Sequence, residues 1–190
     1  FEVNSGDSLE KSDFSTLLIF EKSTAGKQIL LSTLSQTDAG TSGFIFGVND
    51  ANKLYVTTHN PNAGFEHHVF DASIGKKNGV ALCKDDNNFS LLKFNFFEKE
   101  IYEERAAFSN DCLTEGSGFF IGGMSGLVTG ISNDKFNGYI DEFVFIDQPL
   151  NSSYISGLFR GMASRTAHET YGITKNFSKY SAKDRQVFRS

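Results

Sequence analysis

The sequence predicts an all-β protein: an antiparallel two-sheet sandwich with one short helix after its last strand and an extended C-terminal arm. Three observations carry this. From Asp13 to Ile146, apolar runs of five to nine residues, alternating or continuous, are separated by clusters of Gly, Asn, Asp and Ser, the pattern of short strands joined by turns. Twenty Phe, with two Pro, two Met and no Trp among 190 residues, supply a core suited to the inner faces of two packed sheets. No helical period longer than ten residues competes before Asn151.

The elements follow in order. Phe14, Thr16, Leu18 and Phe20 share one face of the first clear strand, and Leu17 and Ile19 give it a second apolar face. Lys27 to Leu34 is the next strand, and Ser42 to Asn60 reads as a hairpin around Asn49-Asp-Ala-Asn. Asn78 to Tyr102 contains another hairpin, turned by Lys84-Asp-Asp-Asn-Asn, and Gly118 to Met124 a later strand. After the turn dipeptide Asn137-Gly138, Tyr139, Asp141, Phe143 and Phe145 alternate with Ile140, Glu142, Val144 and Ile146. Apolar residues on both faces predict a central strand covered on both sides. Pro149 ends it, and Asn151 or Ser152 can cap a helix whose Ile155, Leu158 and Phe159 fall at helical spacing. The predicted core holds Phe14, Leu18, Phe20, Phe94, Phe143, Val144 and Phe145.

The stretch FNGYIDEFVFIDQPLNSSYISGLF (136–159) resembles the closing signature of laminin-G-like domains in the concanavalin-A-like lectin/glucanase superfamily. SDFSTLLIFEKS (12–23), KQILLSTL (27–34), SGFIFGVNDANKLYVTTHN (42–60), NGVALCKDDNNFSLLKFNFFEKEIY (78–102) and GFFIGGM (118–124) resemble its earlier strands, in order. The resemblance implies a jelly-roll sandwich over residues 1–162, followed by a separate segment, 163–190. It also implies an extracellular or virion-surface location. FEHHVF (65–70) is similar to a His-His strand of that family, but NGVALC fits the spacing better, which leaves His67 and His68 as exposed residues near a strand start. Beginning at Phe1, the chain reads as a processed product or an excerpt of something longer.

Charge divides the chain. Residues 1–159 hold eleven Lys or Arg against twenty-one acids, a net −10, whereas residues 160–190 hold seven against two, a net +5. An acidic body argues against nucleic acid, whose phosphates demand the opposite sign. No apolar run reaches the ~20 residues needed to span a bilayer. The basic segment carries aromatics and is read as an arm for a partner surface, its own body or another copy, through Tyr171, Phe177, Lys179, Tyr180, Arg185 and Phe188. Cys83 lies in a strand pattern and Cys112 in a loop, and both are read as thiols rather than a bridge.

No catalytic residues are expected. The glucan-cleaving enzymes that resemble this superfold carry E-x-D-x-x-E on one strand, but here Tyr139 and Val144 stand where the outer acids would be. Loop residues Asn110, Asp111, Asn133 and Asp134 are the candidate ligand contacts, because sandwiches place specificity on loops or on an open sheet face. The resemblance implies that calcium is one ligand to weigh, with Asp85, Asp86 and Asp141 as candidate carboxylates. Asp85 and Asp86 read equally well as hairpin-turn residues, and Asp141 as a hydrogen-bonded one. Two functions remain open: a non-catalytic module that binds glycan or another surface molecule, and an assembly subunit, for example of a virion or appendage, in which the arm clamps a neighbour.

Overall fold

The computed structural model describes residues 2–3, 13–37, 40–96, 100–109, 119–124 and 134–170. They form two antiparallel sheets and one helix. The first sheet has seven strands, in the order β1 (Glu2–Val3), β11 (Phe119–Ile121), β3 (Gln28–Ser32), β5 (Gly40–Val48), β6 (Lys53–Asn60) and β7 (Gly64–Ser73), with β4 (Ser35–Thr37) also paired to β5. The second has five: β10 (Ile101–Ala107), β9 (Asn88–Phe94), β8 (Lys77–Asp85), β2 (Phe14–Lys22) and β12 (Gly138–Ile146). Helix α1 (Ser152–Thr170) follows β12.

The two apolar faces read in β2 serve two different layers. Phe14, Leu18 and Phe20 point between the sheets and join Leu30, Leu31, Phe44, Phe46, Leu54, Val56, Phe70, Val80, Leu82, Phe89 and Phe143 in one buried cluster. Leu17 and Ile19 point the other way, toward α1, with Ala81, Cys83, Leu92, Phe94, Val144, Ile155, Phe159 and Met162. Each fully buried Phe, Leu or Ile contributes about 1.5–3 kcal/mol relative to exposure, so a strand buried on both faces is bound from both sides. Phe rings bridge the layers. Phe14 stacks on Phe44 of the opposite sheet at 5.3 Å and on Phe145 at 5.7 Å, and Phe159 of the helix stacks on Phe94 at 5.5 Å.

The helix begins where the sequence allows. Asn151 is its cap: the Tyr154 amide donates to Asn151 Oδ1 at 2.9 Å. Ahead of it, Ser15 Oγ donates to the Gln148 carbonyl and accepts from the Leu150 amide, which ties the connecting segment to β2. Ile155, Phe159 and Met162 are buried and Leu158 half-buried. The helix does not stop at the expected boundary after Met162 but runs to Thr170, so the first part of the expected arm is helical.

β12 is corrected from a central strand to an edge strand, since among the described residues it pairs with β2 alone. Its two apolar faces are explained by layers above and below, the opposite sheet and the helix, rather than by strands on both sides. Its alternation is also broken. The pairing register shifts between Ile140 and Glu142, a bulge at Asp141, so Ile140 joins Phe143 and Phe145 on the inner face. The predicted core residues are buried except Phe145, which is half-buried against the same cluster. His67 and His68 lie in the middle of the ten-residue strand β7, not at a strand start.

Candidate functional site

The sandwich has two outer faces, and α1 seals one of them. No described helix or strand lies over the other, the outer face of the seven-stranded sheet. Strand periodicity places the odd-numbered residues of β6 and β7 on it. Cross-strand pairing sets Tyr55 opposite Val69, Thr57 opposite His67 and His59 opposite Phe65. The row extends across β5, where Gly47 pairs with Tyr55, Ile45 with Thr57 and Gly43 with His59.

Half of this face is closed by a small apolar cluster of Ile29, Leu34, Ile45, Tyr55 and Met124. The other half, on the β6–β7 hairpin, is open: Phe65 is 46% and Val69 37% exposed, unusual for large apolar side chains on a sheet. The Phe65 ring lies 4.1 Å from that of His59. His67 Nδ1 is 2.8 Å from the Thr57 hydroxyl.

Tyr55 sits at the border of the two halves. Its ring packs over Gly47, where an added Cβ would lie 2.8 Å from the phenolic oxygen and 2.4 Å from the Gln28 carbonyl, so only glycine leaves room. The ring has the Lys27 ammonium 5.4 Å from its centroid and the His67 ring at 5.4 Å. Its hydroxyl is buried with no hydrogen-bond partner among the described residues. Burial, and then the Asp134 carboxylate, push that phenol above its ordinary range. Burial, Lys27 and His68, in that order, hold the His67 imidazolium below its ordinary pKa.

A separate polar seam joins the sheet edges β7 and β10. The Glu104 carboxylate accepts from the Asp71 amide at 2.7 Å and the Tyr102 hydroxyl at 2.6 Å, and lies 3.3 Å from His68 Nε2. Glu66 accepts from the Ser109 amide at 2.8 Å, and Lys93 donates to the Ser73 carbonyl.

Of the ligand contacts expected on loops, Asn110, Asp111 and Asn133 lie outside the described residues, as do the arm residues Tyr171, Phe177, Lys179, Tyr180, Arg185 and Phe188. Asp134 falls beside the open face, its carbonyl accepting from the Ile29 amide at 2.7 Å. The three calcium candidates are not brought together. Asp85 and Asp86 turn the β8–β9 hairpin, with Asp86 at φ 51° and its amide donating to Asp13 at 2.8 Å. Asp141 is ion-paired with Lys77 at 2.9 Å, at the other end of β8, about 25 Å away at ~3.3 Å per residue. That pairing corrects the buried hydrogen bond expected for Asp141, whose side chain is 47% exposed. Among the described residues no three His, Cys, Asp or Glu side chains gather where they could hold a metal ion. Cys83 is a buried thiol.

Solved structures with this arrangement of sheets come from several kinds of protein. The carbohydrate-binding module of the Ruminococcus gnavus IT-sialidase, bound to α2,3-sialyllactose, superimposes with a TM-score of 0.60 at 15% identity, over 77% of this chain and 81% of that one. The LG1–3 region of the laminin α2 chain gives 0.61 at 13% identity, over 80% of this chain and 30% of that one. The fold is a concanavalin-A-like jelly roll. The enzymatically active domain of tailspike protein 2 of bacteriophage CBA120 contains a similar jelly roll, with a TM-score of 0.56 at 8% identity, over 86% of this chain and 29% of that one. No protein-family model and no curated protein matches the sequence.

The residues of the open jelly-roll face, Lys27, Tyr55, Thr57, His59, Phe65 and His67, were not singled out as ligand contacts from the sequence. Their signal was present as alternation: KLYVTTHN places Tyr55, Thr57 and His59, and GFEHHVF places Phe65, His67 and Val69, at odd positions.

Proposed function

We propose that this chain is a non-catalytic recognition module that binds a glycan on the outer face of its seven-stranded sheet. The observation that carries this is the exposed row on the β6–β7 hairpin, Phe65 with His59, then His67 with Thr57, beside an otherwise closed surface. Alternate residues stand about 6.5–7 Å apart along a strand, so the row from Phe65 to Val69 runs about 13 Å, enough for an oligosaccharide. A sugar ring offers C–H groups to an aromatic face and hydroxyls to His and Thr, and this row supplies both kinds of partner. The likeness to a carbohydrate-binding module that holds sialyllactose supports the same reading. Continuous pairing of β5, β6 and β7 holds the row in one register, so ligand is met by a surface already in place.

A glycan array followed by calorimetry on the best hit tests it. Phe65→Ala should weaken binding about tenfold or more, a loss of roughly 1.4 kcal/mol per decade. Tyr139→Ala, which removes a side chain 71% exposed on the other sheet, should leave it unchanged. Absence of any glycan binding, or equal loss in the two variants, would sink the assignment.

A further inference from the structure

Resting on that reading, we infer that the ligand is an acidic sugar whose anionic group sits between Lys27 and His67, over the edge of Tyr55, and that its affinity rises as pH falls. The geometry comes first. Lys27, in the connection before β3, and His67, on β7, approach the one Tyr55 ring from different segments, each 5.4 Å from its centroid, and both are exposed. The body of the chain is strongly acidic, which makes an ammonium beside a protonatable imidazole on its open face a local exception.

The charged groups around this point are few. Lys53 on the same face is already paired with Asp71 at 2.8 Å. Asp50 is engaged by the Lys27 backbone amide at 2.9 Å, leaving the Lys27 ammonium over the ring. Asp134 acts on the Tyr55 side of the border, and His59 flanks the row beyond Thr57. His68 points to the opposite side, where it meets Glu104.

His67 is the group that would give this site a pH response. Its Nδ1 meets the Thr57 hydroxyl, which fixes the ring and leaves Nε2 for the ligand. With no ligand, burial, then Lys27 and His68, hold its pKa below the ordinary imidazole value. An anion placed beside it and Lys27 reverses that balance and raises its pKa in the complex. Affinity therefore rises as pH falls through the pKa of the complex and levels off below that of the ligand-free protein. One unit of separation between the two gives a tenfold change.

The test is calorimetry on the full chain at pH 5.5 and 7.5 with sialyllactose, lactose 3′-sulfate and neutral lactose. The two acidic ligands distinguish a carboxylated from a sulfated source. The expected result is binding of at least one acidic ligand about tenfold tighter at pH 5.5, with lactose weaker at both. His67→Gln should abolish the pH difference, leaving one affinity at both pH values, and Lys27→Gln should lower affinity for the acidic ligand at both pH values while keeping the pH difference. If lactose binds as well as the acidic ligands, or if His67→Gln keeps the pH difference, this inference fails while glycan binding stands. If no glycan binds at either pH to a protein that melts normally, both fail.

Discussion

At the scale of single residues, Tyr55 is the most informative side chain. It is 1% exposed, yet its hydroxyl has no hydrogen-bond partner among the described residues, and an unmet buried donor costs about 1–3 kcal/mol. Tyr55→Phe removes that group while keeping the ring over Gly47. Its melting temperature is expected to equal or exceed that of the parent. A loss of several degrees would mean that the hydroxyl is satisfied in solution. Gly47 illustrates the complementary point: its value lies in the side chain it lacks, since a methyl group there would collide with both Gln28 and Tyr55. Sequence reading passes over such a glycine, because the reason for it belongs to a neighbouring strand.

At the scale of elements, the polar seam between β7 and β10 sets an acid limit on the fold. Burial by itself would push the Glu104 carboxyl up, but the bonds from Tyr102, the Asp71 amide and His68 outweigh it and hold the carboxyl below its ordinary value. The same bond to Glu104 pushes the Tyr102 phenol up to about 12. A carboxylate with a depressed folded-state pKa contributes stability that is complete above its unfolded value and is lost as pH falls through the folded one. Denaturant melts from pH 7 down to pH 3 should therefore show stability falling below the ordinary Glu range. Glu104→Gln should cost about 1–3 kcal/mol at pH 7 and flatten that acid limb. An unchanged limb would place the acid sensitivity elsewhere. The bulge at Asp141 belongs to this scale too. It turns Ile140 inward and leaves Asp141 to pair with Lys77, which a strict period of two could not show.

At the scale of the whole molecule, charge separates an acidic jelly roll from a basic C-terminal segment. The segment after Thr170 is expected to dock on an acidic surface, with exposed charges setting approach and Tyr or Phe side chains supplying most of the affinity. Because α1 runs past Met162 and buries it, the informative truncation is after Thr170. That variant should keep the melting temperature of the sandwich and, in light scattering, lose any assembly that the full chain shows at low salt. Restoring 0.15 M salt should weaken assembly of the full chain without abolishing it, as screening sets in over about 8 Å. A truncated chain that unfolds would show instead that the segment packs into its own domain.

The sequence by itself determined most of the strands and the two-faced burial of β2 and β12, because period, turn residues and cap residues act within a few positions of one another. Asn151, Asp86 and the faces of β2 were legible for that reason. Only the tertiary structure decided that β12 lies at an edge among the described strands, which of the two sheets α1 covers, and that the row of Tyr55, His67 and Phe65 therefore lies on the other face. Alternation tells which residues share a face of a strand but not what covers that face, since the covering layer comes from residues distant in sequence and is fixed by packing.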